Sequence, residues 1–279
     1  MKKIITILFS LLILVGCTQK GYSQLSNGDD VIFKGDDIEY KKSDLYKSLK
    51  ISSDYIIEDD VLRKIATKLD VDIDALGTEA DSELEMYQSY YDEATLMAYK
   101  EQLISDKILT KLSEIYLNEN YTDFVSEDKP IKMQMASFSD ESTANQFIND
   151  VNAGTDFQTA ATNNGYQGDS SMKIYFDSDS IALNVKSYIS STTTNGLSTI
   201  IVETSSSTDA DGNTTETNTY YVVNIESRDV NEFVDEYKSA KLDKLGIDAV
   251  KEYMFSKYDV KFYDQDLYEI MYAKYEDLK

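Results

Sequence analysis

The chain has 279 residues with one Cys, one Pro, no His and no Trp, and 27 basic side chains stand against 51 acidic ones, for a formal charge of -24. Without imidazole and with a single thiol there is no Ser-His-Asp triad, no Cys-His dyad, no zinc site of the usual Cys/His kind and no disulfide within the chain. So negative a charge repels phosphate backbones and argues against nucleic acid as a partner, while 42% hydrophobic residues suffice for folded cores and the length suits one to three domains.

Residues 1–16 open on Met1-Lys2-Lys3, run almost unbroken through apolar residues from Ile4 to Val15 and end at Gly16. A basic start and a short apolar run predict a secretory signal, because the run is too short for a stable membrane span. Leu14-Val15-Gly16-Cys17 resembles a bacterial lipobox, so Cys17 is the expected lipid-attachment residue and first residue of the mature chain. Several acyl chains of the palmitate kind, at about 0.8 kcal/mol per buried methylene, make a durable anchor. The expected location is therefore the extracytoplasmic face of the cell membrane. Removing residues 1–16 leaves 25 basic against 51 acidic side chains and deepens the charge to -26. Thr18 to Asp30 has no apolar period and reads as a tether, giving a linker over 17–30.

Val31-Ile32-Phe33 and Ile38 about Gly35-Asp36 predict a short strand pair, with Ser43 as N-cap of the first helix. The next helix is capped by Asp54 and carries Ile57, Val61, Ile65 and Leu69 at four-residue spacing, with Leu62 beside them. A tyrosine-rich amphipathic stretch covers 81–91, and a longer helix sets Met97, Ile104, Ile108, Leu112 and Ile115 on one stripe. Pro130 marks a boundary. A strand over 131–138, a helix from Ser142 to about Asn152 ending near Gly154, and a second short helix at Ala160-Ala161 follow. Ser198 to Glu203 and Tyr220 to Ile225 read as strands joined by a polar loop or hairpin extension over 204–219. From Asp229 the helical pattern returns, with Leu242, Leu245, Ala249 and Tyr253 on one face, a restart at Asp248 after Gly246, and a last helix capped near Asp264 that carries Leu267, Met271, Tyr275 and Leu278. The expected fold class is α+β: a helical domain built from 31–128 and 229–279, with an inserted α+β module at 129–228.

Asp209-Ala210-Asp211-Gly212-Asn213 admits two readings, a calcium loop of oxygen ligands or an ordinary hairpin turn; Gly at the fourth position and Tyr220 at the twelfth depart from the EF-hand spacing. Acid pairs such as Asp29-Asp30, Asp36-Asp37, Glu58-Asp59-Asp60 and Asp235-Glu236 fall on polar faces and read as solvated, and neither a metal nor a cofactor is implied. Tyr87, Tyr90 and Tyr91, or Tyr268, Tyr272 and Tyr275, are core edges or parts of a surface that grips extended chains.

Three segments carry a family resemblance. Gly35 through Tyr46, reading GDDIEYKKSDLY, is similar to the opening strand, turn and first helix of the PrsA-type foldases, extracytoplasmic lipoproteins with a parvulin-like domain inside a helical chaperone-like domain. Thr143-Ala144, Phe147-Ile148, Val151 and Ala153-Gly154-Thr155-Asp156-Phe157 with Ala160-Ala161 resemble the first two helices of a parvulin domain. Tyr258-Asp259-Val260-Lys261 and Asp264-Gln265-Asp266-Leu267 resemble the closing segment. The resemblance implies a membrane-anchored foldase or chaperone whose partners are unfolded or partly folded secreted proteins, with a homodimer left open. Parvulins carry a His in the strand before their first helix and another in the last strand. Aligned on Thr143-Ala144 the first falls at Met135, and aligned on Tyr220, Val222 and Val223 the second falls at Tyr221. Gly168-Asp169-Ser170-Ser171 stands where the family has Gly-Gly-Asp-Leu-Gly, and Phe176 matches a pocket aromatic. The candidate pocket is thus Met135, Phe176 and Tyr221, and the expectation is weak or lost prolyl isomerase activity. The alternatives are an active parvulin-type isomerase using those three residues and a surface ligand-binding lipoprotein.

Overall fold

The computed structural model describes residues 27–34, 39–52, 54–209 and 211–275. The signal, Cys17, most of the tether, the turn at 35–38 and Leu278 lie outside them. The fold is α+β, and the chain divides into two units, one formed by the N-terminal part to Tyr116 together with Gly246 onward, the other by Leu117–Leu245.

In the first unit, β1 (Val31–Lys34) and β2 (Glu39–Lys41) form an antiparallel pair. The last tether residues belong to this body, since the Lys42 and Ser43 amides donate to the carbonyls of Asp30 and Gly28, each at 2.9 Å. α1 (Lys42–Ser52) starts one residue before the expected cap at Ser43, because the Asp44 carboxylate reaches back to accept from the Lys41 amide at 2.9 Å. α2 (Asp54–Lys68) buries Glu58, Leu62, Ile65 and Ala66, so its inward face is rotated by one residue from the expected Ile57–Val61 stripe. An acid occupies that face because two lysines meet it there. The Glu58 carboxylate, fully buried, accepts from Lys251 Nζ at 2.7 Å and Lys274 Nζ at 2.5 Å.

α3 (Ile73–Leu84), which the sequence reading did not resolve as a separate helix, is capped by Asp72 and turns back against α4 (Glu93–Glu119). Lys100 pairs with Asp81 at 2.7 Å, and Lys107 with Glu79 and Glu83 at 3.2 and 2.6 Å. Leu76, Ala80, Leu84, Ile104, Ile108 and Leu112 are buried between the helices of this unit. The C-terminal segment supplies α10 (Ile247–Lys257) and α11 (Gln265–Lys274), linked to the N-terminal helices by the Glu58 cluster, by Tyr116 stacked on Tyr253 at 4.4 Å, and by Tyr46 donating to Asp264 at 3.1 Å. The face expected to run from Leu242 to Tyr253 is broken at Leu245–Gly246, and its two halves belong to different units.

The second unit contains α5 (Tyr121–Asp128), β3 (Ile131–Phe138), α6 (Glu141–Asn152), α7 (Phe157–Asn163), β4 (Lys173–Tyr175), α8 (Leu183–Ser191), β5 (Gly196–Leu197), β6 (Ile201–Thr208), β7 (Thr214–Ser227) and α9 (Val234–Lys244). The antiparallel sheet runs β4-β3-β7-β5, with β6 also paired to β7. Within the polar segment, Thr204–Thr208 and Thr214–Thr219 are therefore strand ladder, with Thr204 Oγ1 donating to Asn218 Oδ1 at 2.8 Å. Alternation sorts the core by face. Ala136, Phe138 and Val222 pack on Ala144 and Phe147 of α6 and on Phe157, Ala160 and Ala161 of α7, whereas Met133, Val223, Ile225 and Ile201 meet Val185 of α8.

This unit extends beyond the span 129–228 grouped as a module in the sequence. The reason is a third core, in which Phe176, Phe233 and Tyr237 close on Tyr121 and Val125 of α5 and Ala240 of α9. At its edge the buried Asp128 carboxylate accepts from the Tyr237 hydroxyl at 2.8 Å and from Lys241 Nζ at 2.9 Å. Burial first, then the Asp128 carboxylate, pushes the Tyr237 phenol far up.

Candidate functional site

Met135 and Tyr221 project to the same face of the second unit's sheet. Met135 stands opposite Val223 and Ser137 opposite Tyr221 in the β3–β7 ladder, and both Met135 and Tyr221 pack half-buried on the cluster covered by α8, near Tyr188 and Ile189. α8 is fixed there by Asn184, whose backbone N–H donates to Glu203 Oε2 at 2.9 Å and whose side-chain amide donates to the Val202 carbonyl at 2.7 Å. Phe176 does not join them. It follows β4, which pairs only with Ile131–Met133 at the opposite end of β3, and its ring is buried edge-on to Tyr237 at 5.8 Å with Lys244 Nζ 4.0 Å above it. Phe176 thus packs in a different core from Met135 and Tyr221, meeting their cluster only through a shared wall of Ile131, Tyr175, Ile181 and Ile189. The pair Met135 and Tyr221 presents a thioether and a phenol on an apolar face, which suits apolar contact and one hydrogen bond.

The first unit exposes a different surface. α3 ends at Leu84, its last core residue, and the chain continues through a single 3-10 turn, Glu85–Tyr87, before Asp92 caps α4 by accepting from the Thr95 amide at 2.8 Å. That backbone hydrogen bond holds the Asp92 carboxyl below its ordinary value. Residues 85–92 therefore have no helix face to bury, and their large side chains stay outside: Met86 is 70% and Tyr90 78% exposed. Tyr87, Tyr91 and Tyr99 form a chain of ring contacts at 6.4 and 5.4 Å. With Leu84, Met86 and Leu103 they line a groove of about 560 Å³, to which Glu83 and Gln102 contribute polar groups.

Sequence reasoning singled out Tyr87, Tyr90 and Tyr91 but missed Met86 and Tyr99. It also placed Met97 on the buried stripe, where the structure leaves it 62% exposed. The stripe begins only at Ile104, because the first turns of α4 run past the end of α3. The legible signal was the density of Tyr and Met on both sides of Asp92. The second tyrosine group differs: Tyr275 is buried, and Tyr268 and Tyr272 are half-buried with rings 4.0 Å apart. At the hairpin tip Asp209 accepts from the amides of Asp211 and Asn213 at 2.9 Å each and from the Asn213 side chain at 3.1 Å, with Gly212 at φ +84°. Its carboxylate is thus engaged in turn hydrogen bonds, which favours the turn reading. Among the described residues no group of three or more acidic or Cys side chains is arranged to hold a metal ion, and no helix is long and apolar enough to cross a membrane.

No family model and no curated protein matches the chain. Solved structures do. The foldase protein PrsA from Streptococcus pneumoniae is 16% identical over 88% of this chain and 100% of that one, with a TM-score of 0.40. PrsA from Bacillus subtilis is 17% identical over 87% and 98%, with a TM-score of 0.34. The foldase PrsA from Lactococcus lactis is 16% identical over 88% and 99%, with a TM-score of 0.39.

Proposed function

We propose that the protein is a membrane-anchored extracytoplasmic chaperone that holds unfolded or partly folded secreted chains, with little or no prolyl isomerase turnover. The observation that carries this reading is the Tyr87–Tyr91–Tyr99 groove with the exposed Met86. Tyrosine supplies large contact area at small rotamer cost, and methionine adapts its shape, so such a surface takes many apolar sequences without selecting one. The separation of Phe176 from Met135 and Tyr221 supports weak or absent turnover. Isomerisation faces a barrier of about 20 kcal/mol and requires a pocket that stabilises the twisted amide from several sides at once.

The test is suppression of aggregation of an unfolded secreted protein. Replacing Tyr87, Tyr91 and Tyr99 together by Ser should remove at least about half of the suppression while leaving the thermal melt unchanged, since these rings already face water. Full suppression by the triple variant would overturn the reading. In the same preparations, an X-Pro peptide should isomerise at the spontaneous rate; acceleration of a hundredfold or more, on the order of what positioned catalytic groups give, would favour the active isomerase instead. The anchor rests on Leu14-Val15-Gly16-Cys17. Cys17→Ala should leave the signal uncut or release the protein to the medium, and a processed, membrane-retained variant would refute it.

A further inference from the structure

A second cavity, of about 330 Å³, lies within the second unit between the end of β4, the start of β3 and α8. Its apolar wall is Ile131, Tyr175, Phe176, Ile181 and Ile189. Three cations, Lys129, Lys186 and Arg228, line the rest with Ser190, Thr192 and a single acid, Asp177. That acid is engaged: its carboxylate lies 3.6 Å from Lys129 Nζ, and its carbonyl accepts from Lys186 Nζ at 3.1 Å. Arg228 has no such partner. Its Nε and Nη2 are shielded from solvent without a hydrogen bond, and among the described residues no ion pair involves it. Desolvation accordingly lowers its pKa.

A guanidinium left unpaired away from water is costly, and burial of one charge is normally matched by another. The sequence has 51 acidic residues, yet among the described residues no carboxylate pairs with Arg228. An anion entering the cavity would meet two cations with free donor capacity, Arg228 and Lys186, beside an apolar wall. The volume is at the low end of ligand pockets, roughly 300–1,000 Å³, which fits a few side chains of an extended segment. A carboxylate matches the fork of a guanidinium, and flanking apolar side chains match the isoleucines and aromatics.

We infer that this cavity binds extended polypeptide segments in which an acidic residue is flanked by apolar ones, the carboxylate being held by Arg228 and Lys186. The identity of the occupant rests on the chaperone reading; the anion preference rests on the cavity alone. It gives an acidic protein a local cationic seat for client segments that its overall field disfavours.

The experiment follows the methyl resonances of Ile131, Ile181 and Ile189 in the full-length protein. It titrates N-acetylated, C-amidated Leu-Leu-Glu-Leu-Leu, the same peptide with Gln for Glu, and inorganic phosphate. The acidic peptide should shift these three methyls and bind on the order of tenfold more tightly than the Gln peptide at low salt. Arg228→Met should erase that preference, and Lys186→Gln should reduce it severalfold. The methyls of Ile104 and Ile108 in the other unit serve as a check on folding, and Lys186→Gln decides the matter if Arg228→Met does not fold. Equal affinity for the two peptides, shifts confined to other methyls, or phosphate acting as strongly as the acidic peptide would each overturn the inference. Because binding is read without any aggregating client, loss of this site with aggregation suppression intact sinks this inference alone, and the reverse result sinks the chaperone reading alone.

Discussion

Glu58 is the residue whose surroundings most constrain the first unit. Burial alone would raise its carboxyl, but hydrogen bonds and charge from Lys251 and Lys274 outweigh burial and hold it below its ordinary value of 4.5. A carboxyl depressed on folding stabilises the native state above the unfolded value, and that contribution fades as pH falls through the folded one. Glu58→Gln should therefore cost about 3 kcal/mol at neutral pH, the low end for a buried pair losing one partner because Lys274 reaches solvent. The gap to wild type should narrow as the pH falls below about 4.5. Urea denaturation at pH 7, 5 and 3.5 measures it, and a gap constant across that range would refute the ion-pair account. In the sequence Glu58 was indistinguishable from its neighbours Asp59 and Asp60, since the lysines that bury it lie 193 and 216 positions away. Arg228 was hidden for the same reason: an unpaired cation is defined by what is absent around it, which no local pattern records.

At the scale of elements, local chemistry and periodicity carried the reading where both were strong. β3 spans 131–138 as expected, and α6 ends at Asn152 with Gly154 at φ +97°. The Gly154 amide donates to Val151 and the Thr155 amide to Asp150, so the left-handed residue closes the helix. A Cβ at Gly154 would meet nothing within 4 Å, which leaves backbone strain as the whole penalty. Gly154→Ala should thus destabilise by about 1 kcal/mol and Gly154→Asn by less. Chemical denaturation distinguishes them, and two equal, negligible effects would show that the helix end relaxes. The stretch from Gly165 to Gly196 was not legible, because β4 has three residues and α8 nine, too few for a period to emerge from Ser- and Thr-rich sequence. The resemblance named Met135, Tyr221 and Phe176 one by one, and nothing in the sequence told that the first two share a sheet face or which end of β3 would receive the strand preceding Phe176.

For the molecule as a whole, charge does what no single contact can. A formal charge of -24 attracts positively charged chains over a distance set by salt, about 30 Å at 0.01 M and 8 Å at 0.15 M. Glu83, Glu79 and Asp81 beside the Tyr87–Tyr91–Tyr99 groove are paired with Lys107 and Lys100, so on the proposed chaperone reading it is the net charge of the whole molecule that draws a basic unfolded chain toward an apolar surface that then holds it by contact. Attraction of this kind acts on the association rate, whereas contact area governs release. A permanently unfolded basic protein should therefore associate roughly tenfold or more faster at 10 mM than at 200 mM salt, with a dissociation rate changed far less. Replacement of Tyr87, Tyr91 and Tyr99 by Ser should do the converse, speeding release and leaving the salt dependence of capture in place. Stopped-flow association at several ionic strengths separates the two. Capture rates independent of salt would mean that the acidic surface only keeps the protein soluble, and the groove would then have to find its clients by diffusion alone.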